Sequence, residues 1–418
     1  MLSVPEAATR ITAAVAPLPI ANVSLSEALG CVLAADAVSP ITLPHWDNSA
    51  MDGYAVHGAD VAGATADAPR VLPVVGSIPA GAPVPAALPR GAAIQIMTGA
   101  PMPPGADTVI RVEDTDAGTS AVRVLKDRDI SKNIRRAGED VTRGQVAIPA
   151  GAAIGAAQIG VLASIGCAHV AVHRRPRVAI FGSGDELVEL SGFAEVLAGR
   201  RIVSSNRYTL EALVQLSGGV PVSLGHAPDS LAAVQALLQR AVDEQPDLIL
   251  TSAGVSVGEH DHTRNAIESM GTALDFWRVR MRPGAPLGFG HVAGIPWIGL
   301  PGNPVSAMVT FELFVRPAIR RLLGHTRLHR RPVPVVLEEP VSIGAKLTHF
   351  YRAIVTTRAD GVLSARLTGP QGSGILTSMS LANALLIVPE DSSTVPAGHT
   401  LHALLLGEDA ALAEQCAL

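Results

Sequence analysis

The sequence predicts a multidomain protein of α/β plus β class. A doubly wound α/β domain stands at the centre, with a β-rich lobe inserted upstream of it and a small β-barrel or sandwich at the C-terminal end. Three observations carry this. Strand and helix patterns alternate from Pro176 to Gly324, as expected of a parallel sheet wrapped by helices. Residues 44–142 are broken by Pro and Gly into short β-type runs. After His325 only β patterns remain, separated by turn residues.

The first 43 residues read as a helix over 5–15, a short helix over 25–29 ended by Gly30, and a strand over 31–37. The lobe carries β runs at 70–75, 92–97, 108–112 and 121–124. A helix of small residues over 155–165 follows, stopped by Gly166, and then a strand over 169–173.

The α/β alternation begins with an apolar strand, 177–181, that opens into Gly182-Ser183-Gly184. Asn206 can cap a helix over 207–216, and a strand over 221–225 and an amphipathic helix over 231–242 follow. A buried strand over 247–250 runs into Thr251-Ser252-Ala253-Gly254, before a helix over 262–270 and strands over 273–279 and 295–300. Asn303 then caps a long helix with Pro304 at its first position, running to 323 and closed by Gly324. C-terminal strands are expected at 333–338, 350–357, 363–367, 385–388 and 402–405. In a sheet of this kind the ligand site lies at the C-terminal ends of the strands.

Composition narrows the function. Hydrophobic residues make up 48% of the 418, enough for several cores and incompatible with a mainly disordered chain. The net charge of −5 does not suit a phosphate backbone, so nucleic-acid binding is not expected. Lysines occur only at Lys126, Lys132 and Lys346, so a cation in a binding site will be a guanidinium. Cys31, Cys167 and Cys416 form neither a disulfide framework nor a zinc pattern, which fits a reducing compartment. The N-terminus lacks a basic segment followed by an apolar run, and the uncharged stretches 144–172 and 283–311 contain prolines and polar residues. A cytoplasmic protein without a membrane span is expected.

Several segments concentrate groups able to do chemistry. Asp47-Asn48-Ser49-Ala50-Met51-Asp52-Gly53-Tyr54 packs carboxylates beside a turn; it reads either as a projected Asp52 or as an Asx-type turn. Met97-Thr98-Gly99-Ala100-Pro101 places a hydroxyl between a strand and a rigid loop. At Gly182-Ser183-Gly184-Asp185-Glu186-Leu187, free amides favour an anion while two carboxylates repel one, a conflict that a divalent cation such as Mg²⁺ resolves. The third glycine of a dinucleotide fingerprint is missing. The loop from Ser252 through Gly254 and Ser256 to Asp261 offers phosphate donors and then a carboxylate. His260 and His262 suit capping or solvation as well as metal binding. Strand alternation would put Arg278, Arg280 and Arg282 on one face, suited to an oxyanion or to solvent. Pro301-Gly302-Asn303-Pro304-Val305-Ser306 presents a helix N-terminus, with Ser306 in the first turn. Gln371-Gly372-Ser373-Gly374, with Arg352 upstream, fits a turn or a ligand loop.

In order and spacing, these segments together resemble the molybdopterin molybdenumtransferase family, which includes the C-terminal domain of gephyrin. The resemblance runs from about Pro5 to Pro389. It implies an elongated homodimer of four-domain chains. Those domains would be a linker and dimerisation domain (1–43 with 143–174), the β-rich lobe (44–142), a molybdopterin-binding-like α/β domain (175–326) and a small β-barrel (327–418). It also implies the reaction: Mg²⁺-dependent release of AMP from adenylylated molybdopterin, with molybdate as the second substrate and molybdenum cofactor as the product. Glu186 and Asp261 would hold the metal, and Ser183, Ser252, Gly254 and Ser256 the substrate phosphate. Arg282, Ser306, Arg352 and Ser373 would form the oxyanion pocket, and Pro283, Gly284, Pro301 and Asn303 would also bind substrate. Asp52 and Thr98 of one subunit would face the metal site of the other. The molybdopterin adenylyltransferase and molybdoenzymes are the implied protein partners. Three positions depart from the family pattern: Ala285 stands for Lys, Ala253 for Gly, and His226-Ala227-Pro228-Asp229 for an Asp pair. The competing expectation is a gephyrin-like scaffold that binds peptides.

Overall fold

The computed structural model describes residues 1–253, 262–270 and 274–407. The chain forms two compact units. One holds Met1–Ala34, Gly151–Gly155 and His169–Leu418; the other holds Ala35–Ala150 and Ala156–Ala168.

The first unit contains a six-stranded sheet. Its strand order is Val220–Ala227, Arg177–Ser183, Leu248–Ser252, Ile295–Leu300, Pro286–Val292, Leu274–Arg278. The strands pair in parallel except at Pro286–Val292, which is antiparallel to both neighbours. The first strand lies between the second and third, so the chain winds both ways from it and leaves a crevice at its C-terminal end. Alternate residues of that strand serve opposite layers. Val178 and Ile180 pack with Leu210, Val214 and the Val4–Ala13 and Pro304–Leu322 helices. Ala179 and Phe181 pack with Val234, Leu237, Leu238 and Ile267. Both faces are buried, as the continuous apolar strand predicts.

The closing helix is less regular than expected. It runs as Pro304–Thr310, a π-helical turn Phe311–Val315, and Arg316–Leu322. Pro317 explains the interruption, because it has no N–H for the preceding turn. The N-terminal helix is Val4–Ala13, started by a capping box between Ser3 and Glu6.

The C-terminal region is a closed five-stranded barrel. Thr348–Thr357 pairs with Leu363–Leu367, then Val333–Leu337, Thr400–Leu405 and Ala384–Val388, which pairs back onto Thr348–Thr357. Met281–Arg282, from the α/β segment, adds in parallel to Thr348–Thr357. The second unit carries a five-stranded sheet in the order Thr108–Arg111, Gly53–Val56, Ala93–Ile96, Arg70–Ile78, Ala121–Val124. It also holds the helix Ala156–Ser164.

Several expectations need correction. Residues 25–29 form a turn, because a segment this short cannot sustain a helix even with Ser24 bonded to Glu27. The strand expected over 31–37 is reduced to bridges at Val32 and Leu33 and the strand Ala37–Val38. Arg278, Arg280 and Arg282 do not share a strand face. Arg278 ends one sheet, the chain turns at Val279–Arg280, and Arg282 enters the barrel sheet. Arg280 faces Glu390 at 3.6 Å instead. Among the described residues, no helix is long and apolar enough to cross a membrane.

Candidate active site

A cavity of about 350 Å³ opens at the C-terminal end of Arg177–Ser183, where the winding reverses. Ser183, Glu186, Asn206, Ser252, Ala253 and Pro304 are among its walls. Ser183 and Ser252 are buried. Gly184 has φ +154°, and a Cβ there would stand 2.6 Å from the Glu186 carboxylate. The missing side chain therefore lets Glu186 fold back against its own loop.

That loop is tied from outside. The Asp229 carboxylate accepts the Asp185 N–H at 3.4 Å, and Asp185 accepts the Asp229 N–H at 3.1 Å. Ser230, rather than Asp229, caps the helix Leu231–Asp243. His226 lies 3.3 Å from Glu189. Burial opposes the charge on Glu189, but hydrogen bonds from His226, Arg207 and Tyr208 hold its carboxyl below the usual range. The departure at 226–229 thus produces a braced loop.

Asn206 is the residue that pattern reading misplaced. The cap position belongs to Ser204, and Asn206 sits in the first turn of Ser205–Leu216. Its Nδ2 donates to Ser252 Oγ at 2.6 Å and to the Gly302 carbonyl at 2.7 Å, joining two strand-end loops. Its Oδ1 is buried and has no hydrogen-bond partner among the described residues. The available signal was its position between two strand-end motifs, which also suits an N-cap.

Ala253 occupies the left-handed region at φ +75°, where Gly is favoured. A Cβ built on Gly302 would meet the Ala253 Cβ at 3.2 Å. The two loops have room for one methyl group between them.

Two of the oxyanion candidates, Ser306 and Ser373, lie at the start of Pro304–Thr310. Asn303 is the N-cap residue, but its side chain makes no cap bond. Val305 N–H donates to the Ser373 carbonyl at 3.1 Å, which brings the 371–374 loop onto the helix start. Ser306 is buried in the first turn. A Cβ on Gly284 would lie 2.5 Å from Thr310 Cγ2, so the Arg282-Pro283-Gly284 turn packs directly on this helix. Pro301 and Pro283 are buried, and Arg282 is exposed. Its strand partner is His349, whose buried ring is held below its ordinary pKa by desolvation, with Arg282 adding to the effect.

Arg352 lies in the barrel strand Thr348–Thr357. It is fully buried, and its guanidinium donates to Ser378 Oγ and to the carbonyls of Pro370, Gln371 and Gly372. These bonds commit it to the loop that carries Ser373.

In the second unit, the backbone N–H and the hydroxyl of Thr98 both donate to Asp52 Oδ1 at 2.7 Å. These two bonds hold the exposed Asp52 carboxyl below its ordinary pKa. Gly53 is required because a Cβ there would lie 1.9 Å from the Ile110 carbonyl of the adjacent strand. Asp47 accepts from Ala137 N–H and Arg136, which makes it a bracing residue.

Gly254, Ser256, His260 and Asp261 lie outside the described residues, as does the His262 side chain. Among the described residues, no three His, Cys, Asp or Glu side chains cluster as a metal site. The cavity nonetheless offers hard oxygen donors: the Glu186 carboxylate, the Ser183 and Ser252 hydroxyls and the orphaned Asn206 Oδ1. That donor set fits Mg²⁺, which takes one or two carboxylates and completes its shell with water and phosphate.

The chain matches the MoeA N-terminal region (domain I and II) over residues 2–166, the probable molybdopterin binding domain over 179–321 and the MoeA C-terminal region (domain IV) over 334–406. It is 40% identical to molybdopterin molybdenumtransferase 2 of Mycobacterium tuberculosis, over 91% of this chain and 93% of that protein. It is 37% identical to molybdopterin molybdenumtransferase of Nostoc sp., over 92% of this chain and 88% of that one. The crystal structure of the molybdopterin biosynthesis moeA protein from Pyrococcus horikoshii superposes with a TM-score of 0.81 at 28% identity, covering 97% of this chain and 100% of that one. The chain belongs to the molybdopterin molybdenumtransferase family, the transferases of molybdenum cofactor biosynthesis.

Proposed function

We propose that this protein inserts molybdenum, supplied as molybdate, into adenylylated molybdopterin with release of AMP. The observation that supports this best is a shared boundary. Asn303 and Pro304 line the strand-end cavity, and Val305 in the same first turn holds the Ser373 carbonyl, with Ser306 beside it. A phosphoanhydride and an oxyanion could thus bind side by side.

Ser183 and Ser252, with Gly254 and Ser256 beyond them, hold the substrate phosphate through hydroxyl and amide donors. Asn206 keeps Ser252 and the Gly302 carbonyl in register. Glu186 and Asp261 would hold Mg²⁺, which when bound offsets charge developing on the AMP phosphate. Arg282, Ser306 and Ser373 bind molybdate, and Pro283, Gly284, Pro301 and Asn303 shape its pocket. Arg352 acts by fixing the Ser373 loop. Asp52, kept ionised by Thr98, is an acceptor that orients substrate or water rather than a proton donor at neutral pH. This reading includes the four-domain division, a cytoplasmic location, and a homodimer in which Asp52 and Thr98 of one copy face Glu186 and Asp261 of the other.

Reconstitution tests it. Purified protein with adenylylated molybdopterin, Mg²⁺ and molybdate should release AMP and yield active molybdenum cofactor. Absence of both products, where a family member yields them, would reject the proposal.

A further inference from the structure

Asp52 is exposed, but the residue that shapes its surroundings is buried. Ser49 has no exposed surface and lies in the short strand Asn48–Ser49, antiparallel to Ile134–Arg135. Its main chain holds the segment that carries Thr98. Gly99 N–H donates to the Ser49 carbonyl at 2.8 Å, and Ser49 N–H donates to the Ala100 carbonyl at 3.0 Å. Its hydroxyl holds the segment that carries Asp52. Ser49 Oγ donates to the Met51 carbonyl and accepts the Met51 N–H at 3.3 Å, a side-chain turn that folds the chain just before Asp52.

The Thr98 segment is itself a turn. Ala100 N–H donates to the Met97 carbonyl at 3.0 Å, and Gly99 takes φ +82° at the third position, where glycine is favoured. Thr98 stands at the corner before it. Its N–H is therefore free of the turn bond and points, with its hydroxyl, at Asp52 Oδ1. Two separate turns meet at one carboxylate, and Ser49 is bonded to both. An exposed carboxylate would otherwise sample several rotamers, whereas a reacting group has to be held within about 0.5 Å.

We propose that Ser49 is a positioning residue for the Asp52–Thr98 pair. It does not touch substrate; it fixes the two turns whose junction holds the carboxylate in place. The proposal rests on the reading that Asp52 acts in AMP release.

Ser49→Ala in the full-length chain tests this, because it removes the hydroxyl and leaves both main-chain bonds to the Thr98 turn. The Asp52 carboxyl should titrate closer to its ordinary pKa by NMR. Hydrogen exchange of the Thr98 amide should quicken roughly tenfold, as for one hydrogen bond lost. The kcat of AMP release should fall roughly tenfold or more, with KM within about twofold, the pattern of a misplaced reacting group. If Ser49→Ala does not fold, Ser49→Cys replaces it, and its longer, weaker bonds should give the same shifts in smaller measure. An unchanged Asp52 titration and Thr98 exchange rate in a folded variant would overturn the proposal, even if the variant were less stable. Asp52→Asn with undiminished AMP release would overturn the reading of Asp52 instead, and the two NMR measurements, made without substrate, tell that failure from a failure of Ser49.

Discussion

Asp52 shows what one neighbour does to a carboxylate. Thr98 directs two donors at the same oxygen, so the charged form is favoured although the group is exposed. Thr98→Val keeps the backbone donor and removes the hydroxyl. The Asp52 pKa should then rise toward its ordinary value of about 3.9, and the acidic limb of AMP release should move up in pH with it. An NMR titration of the Asp52 carboxyl carbon reads this directly, and an unchanged midpoint would mean that the backbone bond alone sets it. Ala253 illustrates a different balance. Left-handed backbone costs a non-glycine residue roughly 1–2 kcal/mol, while glycine there would cost about 0.4–1 kcal/mol through the unfolded chain. The strain is therefore partly offset, and the neighbouring Gly302 leaves space for the methyl.

At the scale of elements, the alternating strands and helices were legible because the buried strands are short apolar runs ended by Ser, as at Ser183 and Ser252, or by Pro, as after Leu300. The strand Pro286–Val292 was not, because Pro286, Gly288 and Gly290 read as breakers. Packing overrides that reading: a Cβ on Gly288 would stand 2.5 Å from the Trp297 ring. The helix Leu376–Leu381 escaped notice because six residues carry little periodicity. The bonding of Arg352 was also hidden, since a sequence does not reveal that three of its guanidinium hydrogen bonds turn onto the 370–372 loop and a fourth onto Ser378. Arg352→Met should destabilise the chain by about 3 kcal/mol, as expected for breaking a buried hydrogen-bonded network. It should also raise the molybdate concentration needed for turnover, and Arg352→Lys should restore only part of each. Denaturant unfolding and molybdate titration separate the two effects. A stable variant with an unchanged molybdate requirement would remove Arg352 from the site.

At the scale of the molecule, four glycines stand at site segments where a Cβ would collide: Gly53 with the Ile110 carbonyl, Gly184 with the Glu186 carboxylate, Gly284 with the Thr310 methyl and Gly302 with the Ala253 Cβ. The family and the fold class were readable because these constraints are local. The bracing by Asn206, Asp229 and Arg352 was not, because it depends on contacts between distant loops. The central claim is that the strand-end cavity holds a Mg²⁺-bound phosphate through Glu186. The most direct measurement is the Mg²⁺ dependence of AMP release by Glu186→Gln beside the unaltered protein. Losing a carboxylate ligand should raise the half-saturating Mg²⁺ concentration roughly tenfold or more. An unchanged Mg²⁺ dependence at an unchanged rate would contradict the account.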